Sequence, residues 1–342
     1  MKAMVLCRLG ALTDAADPLQ ALELPTPIPG PSEVLVRVHA CAVCHTEIDE
    51  IEGRTPPPRL PVVPGHQAVG RVERVGQAVR QVRVGDRVGV AWIFAACGTC
   101  RYCREGRENL CAEFRATGRD ADGGYAEYMI VGEAFAHRIP DAFTDVQAAP
   151  LLCAGAIGYR SLRLAGIRDG EALGLTGFGA SGHLILTLAR HLYPASPIHV
   201  FARSEPERSF ARELGAVWTG ETTERAPARL RAVIDTTPVW KPVVEALANL
   251  EPGGRLVINA IRKEEGDKSE LQRLDYPAHL WMEKEIKTVA NVARSDVREF
   301  LSIAAGIPLL PEVQEFGLEQ ANLALRELKR GGGRGAKVLR IG

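Results

Sequence analysis

The chain has no net charge, because its 42 Lys and Arg residues are matched by 42 Asp and Glu. That balance removes the electrostatic case for a nucleic acid or an anionic membrane as partner. Long apolar runs are missing too, and no stretch approaches the roughly 20 residues needed to span a bilayer. The first residues, MKAMVLCRLGALTDAADPLQ, contain one early Lys but neither an apolar core nor a small-residue cleavage site. They read as a first strand rather than a signal peptide, and a cytosolic chain is expected. Internal repeats and low-complexity tracts are also absent. What remains is ordinary globular composition, 46% hydrophobic and 25% charged, spread over 342 residues. That length exceeds one ordinary core, so two domains are expected.

The texture changes near residue 155. Before it, EVLVRVHACAV, AVGRVERVG and DRVGVAWI alternate with Gly and Pro punctuation, the pattern of a small irregular β-barrel. GGYAEYMIV (123–131) resumes strand character after a polar, Cys-rich loop. After 155, strands at 171–177, 198–202, 232–237 and 254–260 alternate with helical segments of about ten residues, with IKTVANV (286–292) as the last strand. This alternation specifies a doubly wound parallel sheet, an α/β fold. Helices VREFLSIAAG and LEQANLALRELKRG follow, and AKVLRIG is expected to return to the barrel.

Gly177-Phe178-Gly179-Ala180-Ser181-Gly182 fits G-x-G-x-x-G. With 34 glycines the match alone is weak, but it follows an apolar strand and opens a helix, as a dinucleotide site requires. The first glycine permits a tight turn, the second admits a pyrophosphate and the third packs helix on strand. At the end of the next strand, Ala202-Arg203-Ser204 stands where an NAD site wants Asp or Glu. A small residue followed by Arg leaves room for a 2′-phosphate, so NADP(H) is favoured over NAD(H).

Eight cysteines are the richest feature. Cys97, Cys100, Cys103 and Cys111 form C-x2-C-x2-C-x7-C, dense enough to close around one ion. In a reducing compartment such thiols hold metal more often than they form disulfides. Four cysteines also suit an Fe–S cluster, but nothing else here suggests a chain of electron carriers, and a structural zinc is the simpler reading. Cys44, His66 and Cys153 are scattered, and could form an open three-ligand site only after folding. Cys7 and Cys41 have no partners at metal spacing.

Several ordered motifs carry a resemblance: CHTEID (44–49), GHQAVGRVERVG (65–76), GDRVGVAW (85–92), the four-Cys lobe, GGYAEY (123–128), LLCAGAIGYRSL (151–162) and GFGASG. Along nearly its full length the chain resembles the zinc-dependent medium-chain alcohol dehydrogenases. The resemblance implies a GroES-like catalytic domain at 1–154 and 292–342, with a structural-zinc lobe at 95–113, and a Rossmann domain at 155–291. It implies Cys44, His66 and Cys153 as ligands of a catalytic zinc, and Cys97, Cys100, Cys103 and Cys111 as ligands of a structural one: two Zn per chain. The catalytic zinc would act as a Lewis acid on the oxygen of a small alcohol or carbonyl substrate, with hydride passing to or from the nicotinamide. By position, Thr46 would hydrogen-bond the substrate oxygen and pass its proton outward, while Glu47 would fix the tautomer of His66. His45 would face the cofactor pyrophosphate, and Trp92 would wall the substrate pocket. Relatives assemble as homo-oligomers, dimers or tetramers.

Three positions depart from the family pattern. Gln67 replaces a carboxylate beside the ligand histidine, Asp49 stands where many relatives have a relay-ending His, and Ala336 falls near where many place an Arg. None removes a zinc ligand. Two other readings stay open at this point: a relative acting on a polyol or an activated carbonyl, and a non-catalytic dinucleotide-binding protein.

Overall fold

The computed structural model describes residues 1–307, 309–331 and 335–342, with the side chain of Ala180 outside that set. Contacts divide the chain into two units, Met1–Ala156 with Val292–Gly342, and Ile157–Asn291.

The first unit begins with the hairpin β1 (Lys2–Leu6) and β2 (Leu19–Glu23), followed by β3 (Glu33–Ala42) and the short helix α1 (His45–Ile51). Then come β4 (Ala68–Val75), β5 (Arg87–Val90), β6 (Ile93–Ala95), α2 (Arg101–Arg104), β7 (Arg115–Ala116), β8 (Tyr128–Gly132), β9 (Ala136–Arg138) and α3 (Asp145–Pro150). β3 is the hub: it pairs antiparallel with β4 and with β8. Its Val34, Val36 and Val38 are sealed against Val72, Val88, Val90 and Met129. Each such valine contributes about 1.5–3 kcal/mol on leaving water, which explains why β-branched residues alternate here.

α4 (Ala156–Ala165) leads from the first unit into the second, which holds a six-stranded, all-parallel sheet. Its strands are β10 (Leu173–Thr176), β11 (Ile198–Phe201), β12 (Trp218–Gly220), β13 (Leu230–Asp235), β14 (Leu250–Ile258) and β15 (Glu285–Thr288). Between them lie α5 (Ala180–Leu192), α6 (Glu205–Glu213) and α7 (Lys241–Asn249). The order β12-β11-β10-β13-β14-β15 is the doubly wound order, reversing between β10 and β13. β10 and β11 are buried at every residue, as strands covered on both faces must be. β12 is a strand of three residues that the alternation of the sequence did not indicate. β15 is shorter than 286–292, because its partner β14 ends at Ile258, opposite Thr288.

The chain then re-enters the first unit through α8 (Arg294–Ala305), β16 (Val313–Gly317), α9 (Ala321–Arg330) and β17 (Ala336–Arg340). β17 pairs antiparallel with β3, the expected return to the barrel. Ala336 is buried in this strand. Among the described residues no helix is long and apolar enough to cross a membrane.

Candidate active site

Two groups of metal-ligating side chains form among the described residues, and both lie in the first unit. In the lobe, the sulfurs of Cys97, Cys100, Cys103 and Cys111 lie within 4.8 Å of one another. Cys97 Sγ is 3.5 Å from Cys111 Sγ and 3.8 Å from Cys103 Sγ. These are too far apart for S–S bonds, but a tetrahedron with ~2.3 Å metal–sulfur bonds has edges of about 3.8 Å. The Cys100 amide donates to Cys97 Sγ at 3.3 Å, and such donors pull the Cys97 thiol down to about 6. The lobe fits a zinc and leaves no position for a substrate.

The second group is assembled from three separate segments. Cys44 caps α1, His66 follows Gly65, and Cys153 lies in a wide turn, Leu151–Gly155, between α3 and α4. Gly65 has φ 98°, and a Cβ there would run into Tyr125. Only glycine therefore lets the chain bring His66 against the barrel. The donor atoms of Cys44, His66 and Cys153 lie within 4.8 Å of one another. His66 is buried, and its Nε2 has no protein partner. Two thiols and a free imidazole nitrogen fit a zinc that keeps a position open.

Charge is concentrated around this triad. Cys153 donates to Cys44, which holds the Cys44 thiol well below its ordinary range and Cys153 well above. Burial works against a charged His66 ring, but Glu47 and Cys44 outweigh it and lift the ring well above the usual histidine value. Glu47 serves two neighbours at once. One oxygen accepts the Cys44 amide at 2.8 Å, capping α1, and the other lies 2.5 Å from His66 Nδ1 but out of line for an ideal hydrogen bond. Thr46 Oγ1 is 3.6 Å from Cys44 Sγ. His45, the first residue of α1, is exposed. Asp49 is not a free proton acceptor, because Arg54 Nε stands 2.5 Å from its Oδ1 and Arg54 also pairs with Glu52. Trp92 is buried against Phe114, ring centroids 5.1 Å apart, and its Nε1 has no partner. Gln67 is buried beside His66, and its main-chain carbonyl accepts the Ala42 amide.

Sequence reasoning overlooked Glu50 and Arg54. Glu50 is 2% exposed with Oε1 unpartnered. Burial and then Glu47 push its carboxyl well above the carboxylate range, with His66 and Arg119 pulling the other way. The available signal was the three-residue spacing from Glu47, which puts both carboxylates on one face of α1. Arg54 lies beyond the helix and gave no local signal.

In the second unit, the loop after β10 sits where the sheet order reverses. Gly177 has φ 79°, and a Cβ there would stand 2.8 Å from Thr237 Cγ2. A Cβ on Gly182 would stand 2.7 Å from the Gly177 carbonyl, whereas Gly179 faces open space. The loop therefore offers the cradle that a dinucleotide pyrophosphate needs at the start of α5. Ala180 opens this helix, but its side chain is outside the described set; Ser181 follows in its first turn. Ala202 is buried after β11 and Arg203 is exposed. The Ser204 hydroxyl is engaged in capping α6, donating to Glu207 Oε2 at 2.8 Å. Arg208 folds back on the Ala202 carbonyl at 2.8 Å, so two guanidinium groups flank this turn.

The fold and site define a metal-dependent, dinucleotide-linked oxidoreductase. Residues 30–141 match the alcohol dehydrogenase GroES-like domain. The chain is 43% identical to a probable alcohol dehydrogenase, AdhA, of Mycobacterium tuberculosis over 95% of its length and 93% of the relative's. An alcohol dehydrogenase of Geobacillus stearothermophilus is 32% identical over 94% and 96%. Among solved structures, an NAD-dependent alcohol dehydrogenase superposes with TM-score 0.88 at 26% identity, covering 100% of both chains. A putative zinc-binding dehydrogenase of Sinorhizobium meliloti bound to NADP gives 0.85 at 26% identity, covering 99% and 98%. The chain belongs to the zinc-dependent medium-chain alcohol dehydrogenase family.

Proposed function

We propose that the chain is a cytosolic NADP-preferring alcohol dehydrogenase, interconverting an alcohol and an aldehyde or ketone. The convergence of Cys44, His66 and Cys153 from three distant segments, leaving one position open, carries this reading. These three side chains would hold the catalytic zinc, and the four lobe cysteines a structural one, two per chain. Zinc would supply Lewis-acid polarisation of the substrate oxygen, and the nicotinamide the hydride chemistry. Glu47 holds the His66 ring in one orientation, so that Nε2 faces the open position. Thr46 takes the substrate hydroxyl proton at Oγ1 and hands it outward. Asp49 is ion-paired with Arg54 at the end of α1. Trp92 bounds the substrate with its ring.

Gly177, Gly179, Ser181 and Gly182 would bind the pyrophosphate through their backbone, and His45 would add a basic ring. The exposed Arg203, beside the small Ala202, supports 2′-phosphate recognition; the relative bound to NADP is consistent with that choice. Homo-oligomer formation is supported by β15, an edge strand whose neighbourhood exposes Ile286, Trp281 and Tyr276.

Initial rates with a panel of alcohols and aldehydes, each with NADP and NAD, test the assignment together with zinc per chain. Two zinc ions and a higher kcat/KM with NADP are expected. Arg203→Ala should raise the KM for NADP about tenfold, the cost of one charge-assisted pair, and leave the KM for NAD unchanged. Equal use of both cofactors by the parent chain would overturn the Arg203 argument.

A further inference from the structure

A groove of about 480 Å³ opens in the first unit, lined by β9, α8 and the residues just before β5. It shares no residue with either cysteine cluster. α8 presents Arg298, Leu301, Ser302 and Ala305, which share one helical face. From β9, His137 lines it; this residue is 4% exposed and has no hydrogen-bond partner among the described residues. Val82 and Ala136 complete an apolar wall. The volume falls within the range of small-molecule sites.

The charges in and around this groove are unequally occupied. Arg138 is anchored to Asp86 Oδ2 at 3.1 Å and to the Gln81 carbonyl at 3.2 Å. Glu133, at the rim, accepts the amides of Arg80 and Gln81, each at 2.8 Å. Arg294 is paired with Glu108 at 2.7 Å. Arg298 is exposed and unpaired among the described residues. Burial, then the fields of Arg298 and Arg294, push the His137 ring down to about 3. The ring is therefore neutral at pH 7, in a field that an anion would relieve.

We propose that this groove binds a carboxylate carried on a short apolar body. The carboxylate meets the Arg298 guanidinium and the neutral His137 ring, and the body lies on Val82, Ala136 and Leu301. A single free guanidinium matches the two oxygens of a carboxylate. A phosphate dianion would leave charge facing Glu133, and an uncharged alcohol would leave the guanidinium unmet.

The zinc-loaded protein, with histidine labelled for NMR, is titrated with sodium hexanoate, inorganic phosphate and hexan-1-ol in parallel. The His137 signal is identified by its loss in His137→Gln. Hexanoate should move that signal saturably, while phosphate and hexanol leave it in place. Arg298→Gln should weaken hexanoate at least about tenfold, the scale of one charge-assisted contact. Ser302→Glu should do the same, because a carboxylate one turn from Arg298 claims its guanidinium. Both positions are exposed, and neither change should alter alcohol turnover. The proposal fails if hexanoate leaves the signal unmoved, if both variants bind as tightly as the parent, or if phosphate or hexanol moves the signal equally.

Discussion

The two cysteine clusters of this chain use the same donor chemistry and reach it by opposite routes. The lobe draws four sulfurs from Cys97–Cys111, where α2 and its flanking turns bring them together by local geometry alone. Closing so short a loop costs little chain entropy. The triad draws one ligand each from the N-cap of α1, the Gly65 turn and the wide turn after α3. It exists only once the barrel has formed around β3. The local cluster is complete in itself and chemically closed. The long-range one is flanked by Glu47, Glu50 and Thr46 and retains an unpartnered His66 nitrogen. Density of ligands in sequence therefore tracks structural strength, whereas scattered ligands gathered by the fold create an opening for chemistry.

The sharpest way to break this contrast is Cys44→Ser. Turnover should fall on the order of 10³-fold, since several kcal/mol of charge stabilisation depend on the triad. Bound zinc should drop to the lobe's share, and the circular dichroism spectrum should stay unchanged. Retained activity would falsify the triad as the catalytic centre. Cys100→Ser should behave in the reverse manner. The melting temperature should fall by roughly 10 °C as the closed site loosens, while the fraction that stays folded keeps a near-parent kcat. A proportional loss of kcat at unchanged stability would erase the distinction between the two clusters.

A smaller effect is expected at Glu47→Gln, which keeps an acceptor for the Cys44 amide but removes the charge beside His66. Zinc affinity or turnover should drop about 10- to 100-fold, as for other partners of metal-bound histidines. Competition with a chromophoric chelator reads this directly, and an unchanged affinity would show that orientation by Glu47 is unimportant.

The smallest effect lies on the outer side of α1. Burial alone would raise the Glu52 carboxyl, but Lys329 and Arg54 reverse this and hold it at about 2, below its ordinary 4.5. A depressed carboxylate contributes stability that is fully present above about pH 4.5 and is lost as pH falls toward 2. Glu52→Gln should therefore cost ~1 kcal/mol at pH 7 in urea unfolding. The gap from the parent should close on acidification through that window. A gap independent of pH would mean that packing, and not charge, is what Glu52 supplies.

Much of this was legible in the residues. The parallel sheet announced itself through short strands, β10 and β11 among them, that alternate with helical segments of about ten residues. The glycine loop could be read because Gly177 and Gly182 each answer a separate steric demand, while Gly179 leaves space open beside the backbone. β12 escaped notice because three residues carry no usable period. The last strand was read too long, because the apolar run continues past Thr288, where the partner strand β14 ends and pairing stops. Arg54 and Glu50 were missed for a related reason. One acts through an ion pair beyond its helix, and the other matters only because α1 buries it against the triad.

The sequence by itself determined the fold class, the four-cysteine lobe and the glycine loop, because period-two and helical patterning, close ligand spacing and glycine placement all act over a few residues. Only the tertiary structure decided that Cys44, His66 and Cys153 meet, that Glu47 reaches both a cap and a ring, and that Asp49 is occupied by Arg54. Those contacts join residues that local chain geometry does not bring together. They form when burying the valines of β3 and its neighbours fixes where each turn must lie.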